Sequence, residues 1–309
     1  MRKFAAVDVG GTQIRVAIFN EDSSKPILEK KIKTQGDGQT PVERLVNVLK
    51  EVWPTDDPID SIAIAAPGYL EPEEGLVVTA PNIPGWVNLP LAQILRDQFH
   101  VPVYLGNDAN LAAMGEWKFG AGKGYKDLLF ITVSTGIGGG IIMDNQLISG
   151  AHGMAGEIGH VVAVPDGPMC GCGKKGHIEA VASGTAIARY VREKLAEGVP
   201  SAFKPGSSPS AKEIADAAKK GDQLSIDAFN LAGFYLGRTI ADFLHILNPA
   251  IVIMGGGVSM SGDLIMKPLM ASLEEHVIAK EYVTNMRIVT AALGDDAGLL
   301  GAFALSLEK

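Results

Sequence analysis

Two stretches of this chain follow one plan. FAAVDVGGTQIRVAIFN (residues 4–20) and DLLFITVSTGIGGGIIMDNQ (residues 127–146) each run from an apolar strand through a turn of small residues into a second apolar strand. That pattern predicts a β-hairpin closed by glycine. Its return in the second half predicts an internal repeat of architecture, with a chance echo of two hairpins as the alternative. Between the hairpins, EKKIKT and IDSIAIAAPG read as strands, and PVERLVNVLKEVW and LAQILRDQFH have helical spacing. VPVYLGNDAN reads as a strand running into the helix NLAAMGEWKF. The second half continues with a Cys/His loop, a helix from about Glu179 and a polar loop, SAFKPGSSPS. SIDAFNLAGFYLGRTIADFLHILN then predicts a long buried helix. The strand of AIVIMGGGVS, the strand RIVTAAL and the helix DDAGLLGAFALSLE complete the chain. Strands alternating with helices predict an α/β protein.

At 309 residues the chain exceeds the usual single domain, so two lobes are expected. Its 37 glycines are clustered rather than periodic, which excludes collagen-like and linker sequences. The net charge of −8 and the pI near 5.3 speak against a nucleic-acid-binding face. They do not speak against nucleotides, because backbone N–H groups bind phosphate without net charge. No apolar run reaches the ~18 residues that span a bilayer, and MRK leads straight into a strand with no signal-peptide core. Two cysteines make no disulfide framework. A cytoplasmic protein that binds no nucleic acid and no membrane is the expectation.

Three glycine turns each follow an apolar strand: DVGGT (8–12), STGIGGG (134–140) and GGGVS (255–259). Each can aim consecutive backbone N–H groups into one concavity, a nest for phosphate oxygens. Tight hairpin turns also select glycine. None of the three is a Walker A loop, and none is a GxGxxG opening a helix.

Both cysteines lie in HVVAVPDGPMCGCGKKGHIE (160–179). His160, Cys170, Cys172 and His177 form H-x9-C-x-C-x4-H. Two thiolates and two imidazoles make a complete tetrahedral set for Zn²⁺. Four protein ligands leave no open position, so such a metal would be structural. Two ordinary free thiols and an empty site are the alternative.

DVGGTQIR, GNDANLAAMGE, STGIGGGII, HGMAGEIGH, CGCGKKGHIEAVASG and NPAIVIMGGGVS, in that order, resemble the ROK family of sugar kinases, open-reading-frame proteins and repressors. The resemblance extends from Phe4 to the last helix and is strongest to the ROK glucokinases. It implies an actin-like (ribonuclease H-like) duplicated two-lobe sugar kinase fold with its active site in a cleft. The expected lobes are residues 1–106, with a terminal helix at about 296–309 packing back, and residues 107–295 with the zinc loop.

The resemblance also implies roles. Asp108 would be the general base for a sugar hydroxyl, and Asn107 would contact the sugar. Asp108 could equally cap the helix that follows it. Gly68, Asn82, Glu157, His160 and Glu179 would complete the sugar contacts, although Glu157 and Glu179 also read as exposed loop and helix-start acids. Asp8 would help place Mg²⁺ near the phosphates, unless it only stabilises its turn. Gly10, Gly11, Thr12, Thr135 and Gly136 would face phosphates, and Gly184, Gly256 and Gly257 would lie by the adenosine. Arg15 is either a phosphate-side cation or a solvated strand residue. The family's zinc site has one His and three Cys; here His177 stands where its third cysteine usually is.

An ATP-dependent hexokinase acting on the 6-hydroxyl of glucose is therefore expected, with catalytic Mg²⁺ and structural Zn²⁺, as a homo-oligomer (dimer or tetramer). An N-acetylglucosamine or N-acetylmannosamine kinase is the alternative on the same scaffold. A non-catalytic sugar-sensing ROK protein is the alternative of another class. Repressors of the family carry a helix-turn-helix domain ahead of the first glycine turn, for which the seven residues before Asp8 leave no room. An actin-like ATPase would have no use for Glu157, His160 and Glu179 together. Polyphosphate is the other candidate donor.

Overall fold

The computed structural model describes residues 2–36, 38–55 and 58–309. The chain opens with the hairpin β1 (Lys3–Val9) and β2 (Gln13–Asn20), then β3 (Leu28–Lys33), α1 (Pro41–Val52) and β4 (Ser61–Ala66). Next come β5 (Tyr69–Glu71), β6 (Leu76–Thr79), β7 (Val87–Leu89), α2 (Leu91–Phe99), β8 (Val103–Asn107) and α3 (Asp108–Phe119). The second hairpin is β9 (Leu128–Val133) and β10 (Ile137–Met143), followed by β11 (Gln146–Leu147). Helices α4 (Glu179–Ala182), α5 (Gly184–Ala196), α6 (Ala211–Lys219) and α7 (Gln223–Leu247) lead to β12 (Ile251–Gly255). Then come α8 (Gly256–Ser259), α9 (Asp263–His276), α10 (Glu281–Thr284), β13 (Arg287–Thr290) and α11 (Ala297–Glu308).

Contacts divide the chain into two units. One holds residues 1–124, 140–156 and 292–309; the other holds 125–139 and 157–291. The sequence placed the boundary near Gly106, whereas α3 groups with the first unit because it packs along α11. The first unit's sheet runs β3-β2-β1-β4-β8, an antiparallel hairpin continued by parallel strands. The other five-stranded sheet runs β11-β10-β9-β12-β13, with β9, β12 and β13 parallel. The same order in both sheets is the duplicated architecture that the two hairpins predicted. A small antiparallel sheet, β5-β6-β7, was not anticipated, because its strands are four residues or fewer.

Local sequence explains the main elements. β4 reads SIAIAA and is buried throughout, as a central parallel strand must be. α1 begins with Pro41 after a Thr40–Glu43 capping box, and buries Leu45, Val48, Leu49 and Val52 on one face. α7 starts at the Asp222 cap and stops at Asn248, which takes the left-handed conformation (φ 45°). Among the described residues no helix is long and apolar enough to cross a membrane.

α11 anchors the first unit. The Phe303 ring stacks on Phe19 at 4.5 Å and on Phe119 at 5.5 Å. α11 approaches α3 so closely that a Cβ on Gly115 would lie 2.5 Å from the Ala297 carbonyl oxygen. A Cβ on Gly301 would collide with the Leu111 carbonyl. Gly301→Ala should therefore separate the helices and lower stability by at least about 2 kcal/mol, the range of an overpacked core. The midpoint of urea unfolding checks this; an unchanged midpoint would refute it.

Candidate functional site

In the first unit, Asp8 is the next-to-last residue of β1, paired with Arg15 on β2 and Ala65 on β4. A Cβ on Gly298, in the first turn of α11, would lie 3.0 Å from its carboxylate. Burial pushes its pKa up to about 6 against the opposing pull of Arg15, with Asp295 also raising it and Lys31 lowering it. The turn beyond it is closed by a bond from Gly10 N to Gln13 O (2.8 Å). Gly11 faces Asn82: a Cβ there would lie 3.0 Å from the Asn82 carbonyl oxygen. The fold thus brings together Gly11 and Asn82, which are 71 positions apart in sequence.

Asn107 and Asp108 sit at the start of α3. Asn107 is the N-cap, its Oδ1 accepting from Ala109 N (3.0 Å) and Asn110 N (3.2 Å). The capping considered for Asp108 falls mainly to its neighbour, although Asp108 Oδ1 also accepts from Ala109 N (2.8 Å). Asn107 Nδ2 faces the Gly68 carbonyl at 3.5 Å. Gly68 takes φ 93°, and a Cβ there would collide with the Thr79 carbonyl, so this turn admits only glycine.

In the second unit, Ser134, Thr135 and Gly136 form the β9–β10 turn, with Ser134 N bonded to Gly136 O (2.8 Å). Glu179 reaches this turn: its Oε2 accepts from Ile137 N (3.1 Å), over the face that Gly136 leaves free of a side chain. Gly184 donates to Ser134 O (2.7 Å), and Thr185 Oγ1 donates to Thr135 O (2.8 Å), docking the start of α5 on the same turn. These residues open into a cavity of about 710 Å³ that is also lined by Gly257, Val258 and Phe229. Arg192, Lys212 and Lys219 lie along it. Gly256 (φ 83°) starts α8 beside it, packed on the Val133 carbonyl. The sequence reading missed Ser134, Thr185, Arg192 and the α6 lysines. Thr185 in ASGTAI had a signal, as a hydroxyl at a helix start; the cations had none, because charges on helices are common.

The four zinc candidates converge. The ligand atoms of His160, Cys170, Cys172 and His177 all lie within 4.8 Å of one another. A tetrahedron with ~2.3 Å arms has edges of roughly 3.8 Å, so the set is of the right size. His160 Nδ1 lies 3.7 Å from Cys170 Sγ, and His177 Nδ1 lies 3.3 Å from Cys172 Sγ. The other ring nitrogen of His160, Nε2, is 3.9 Å from Glu157 Oε2. The loop is shaped by bonds from Cys170 N to Lys174 O and from Gly173 N to Cys170 O, which fold the Cys-x-Cys segment into a knuckle. Cys170 donates to Glu179 Oε1 (3.2 Å). Burial, then the Glu179 carboxylate, pushes its thiol up to about 12. A cation among these donors would relieve that penalty by taking the thiolate form. The residues fit a closed, structural Zn²⁺ site, with His177 in place as a ligand.

Two expectations follow. The purified protein should carry close to one zinc per chain by elemental analysis, and Cys172→Ala should lose it. Zinc-free wild type would overturn the assignment. Asp8 carries the second. A carboxyl with its folded pKa raised to about 6, above 3.8 unfolded, takes up protons on folding between those values, so its contribution to stability falls as pH rises through that window. Asp8→Asn should then melt higher than wild type at pH 7–8, by up to about 3 kcal/mol. The gain should shrink toward zero by pH 4; a gain independent of pH would refute it.

The sequence profile of the ROK family matches residues 4–309. A glucokinase of Thermotoga maritima is 36% identical over 99% of this chain and 98% of its own. An N-acetylmannosamine kinase of Escherichia coli is 32% identical over 97% of each. The structure superposes with a TM-score of 0.80 on a ROK family glucokinase from Streptomyces griseus solved with glucose and AMPPNP, 34% identical over 98% of each chain. This chain belongs to the ROK family.

Proposed function

We propose that this protein is an ATP-dependent glucokinase that transfers the γ-phosphoryl group to the 6-hydroxyl of glucose. The observation that carries the reading is the Asn107–Asp108 pair, fixed at the start of α3 by its cap, in a chain 33–36% identical to several bacterial glucokinases. A sugar hydroxyl is a weak nucleophile at neutral pH. Asp108 orients it and accepts its proton as the O6–P bond forms and the bond from phosphorus to the β-phosphate oxygen breaks, releasing ADP. Asn107, Asn82 and the Gly68 backbone hold other hydroxyls, with Glu157, His160 and Glu179 as further sugar contacts. The adenosine occupies the 710 Å³ cavity by Gly184, Gly256 and Gly257, with Gly10, Gly11, Thr12, Thr135 and Gly136 toward the phosphates. Asp8 would help hold Mg²⁺, which would supply charge neutralisation at the phosphates. His160, Cys170, Cys172 and His177 would hold a structural Zn²⁺, which would keep the sugar-side loop in shape without entering the transfer. Thiolate ligands suit a reducing, cytoplasmic setting. A homodimer or homotetramer is the assembly that goes with this reading.

ADP release with Mg-ATP over glucose, mannose, fructose, N-acetylglucosamine, N-acetylmannosamine and no sugar tests the function. Glucose should give the highest turnover, with almost none in the absence of sugar. Preference for an N-acetyl sugar would keep the mechanism and replace the substrate. Turnover that ignores sugar would refute the kinase reading and favour a sugar-sensing protein. Asp108→Asn should lower kcat by about 10²–10⁴-fold, the usual share of a general base, with little change in the KM for glucose. Near-wild-type turnover would remove Asp108 from that role.

A further inference from the structure

α3 carries a glutamate that solvent does not reach. Glu116 is 0% exposed. Its Oε2 accepts from Ala121 N (2.8 Å) and Ala292 N (3.1 Å), and its Oε1 accepts from Leu293 N (2.8 Å). A buried carboxylate persists only where its lone pairs are met, and these three amides need an acceptor in return. An apolar side chain of the same size would fill the space and leave all three N–H groups without one.

The position of those amides gives the contact its meaning. The chain first leaves the first unit after Gly124, just beyond Ala121, and makes its last return to it at Ala292. One carboxylate therefore ties the departing segment and the returning segment to the same helix. Past Leu293, Arg15 holds the next turn: its Nη1 donates to Asp295 O (2.6 Å), and its Nη2 donates to Asp296 Oδ1 (2.5 Å) and Glu29 Oε1 (2.7 Å). α11 then begins, with Gly298 against the Asp8 carboxylate. The buried Glu116 carboxyl group at one end and the largely buried Arg15 guanidinium at the other define the path from 292 to 298.

We propose that Glu116 is a positioning residue of the phosphoryl transfer. By locking the end of α3 to the segment that starts α11, it carries Asp108 and Asp8 on one rigid piece. The inference rests on the sugar-kinase reading for the roles of those two aspartates. Loosening the lock misplaces the base relative to the phosphates, and this costs turnover more than ground-state binding.

The test compares wild type with Glu116→Ala, Glu116→Gln and Gly120→Ala, each assayed well below its own melting temperature. A Cβ on Gly120 would run into the Glu116 carboxylate, so Gly120→Ala displaces the group without deleting it. Kinetics with glucose and Mg-ATP are read beside hydrogen exchange of peptides covering 118–124 and 289–298. For Glu116→Ala we expect kcat to fall about 10–100-fold with KM for glucose within about threefold, the mark of an interaction used in the transition state. Glu116→Gln should lose less, because its amide oxygen can still serve Ala121 and Ala292. Exchange should accelerate in both segments together. Folded Glu116→Ala with kcat within twofold of wild type would overturn the proposal, as would faster exchange in one segment alone. If Glu116→Ala does not fold, Glu116→Gln and Gly120→Ala decide by the same criteria. Wild type that turns over no sugar sinks the kinase reading and the transfer role with it, and that failure shows in the wild type before any variant is read.

Discussion

Helices α3 and α11 meet where neither has a side chain to offer, at Gly115 and Gly301. Much of the first unit depends on that approach. It lets Phe303 stack between rings from β2 and α3, and it sets the first turn of α11 under the Asp8 carboxylate. It also brings Ala292 and Leu293 within reach of Glu116. The proposed base begins α3 and the proposed phosphate-side acid lies one residue from the end of β1. The packing of α3 on α11 relates them.

In the second unit the corresponding tie is Glu179. One oxygen accepts from the Cys170 thiol and the other from the backbone of the β9–β10 turn. A residue read as a sugar ligand is thus joined on one side to the metal loop and on the other to a turn proposed to face phosphate. The chemistry explains why the only two cysteines of the chain lie there. Burial holds the Cys170 thiol protonated, and a cation that drew it into the thiolate form would fix the loop and release the Glu179 oxygen that accepts from it.

The hairpins, the parallel strands and the long helix were legible because periodicity and glycine turns are local signals. The four metal ligands were legible because they lie within 18 consecutive residues, which tertiary structure only had to close. The three short strands β5–β7 were not, because four residues carry no usable period. Nor was the extent of the first unit. The boundary placed near Gly106 cut α3 from its packing partner, since nothing in NLAAMGEWKF announces that its glycine faces another glycine far along the chain. Arg15 was left open for the same reason: Glu29, Asp295 and Asp296 become its partners only when β3 and the start of α11 are beside it.

By itself, then, the sequence determined the duplicated α/β plan, the glycine turns and the candidate zinc ligand set, because each is written in neighbouring residues whose chemistry needs no distant partner. Tertiary structure alone decided that Asn107 takes the helix cap and leaves Asp108 beside it, and that Asn82 lies against the first glycine turn. It also decided that the half-buried Asp8 packs against α11, and that Glu116 is the acceptor for three backbone amides. Burial and hydrogen bonding set the chemistry of a carboxylate, and both are properties of what the fold packs around it.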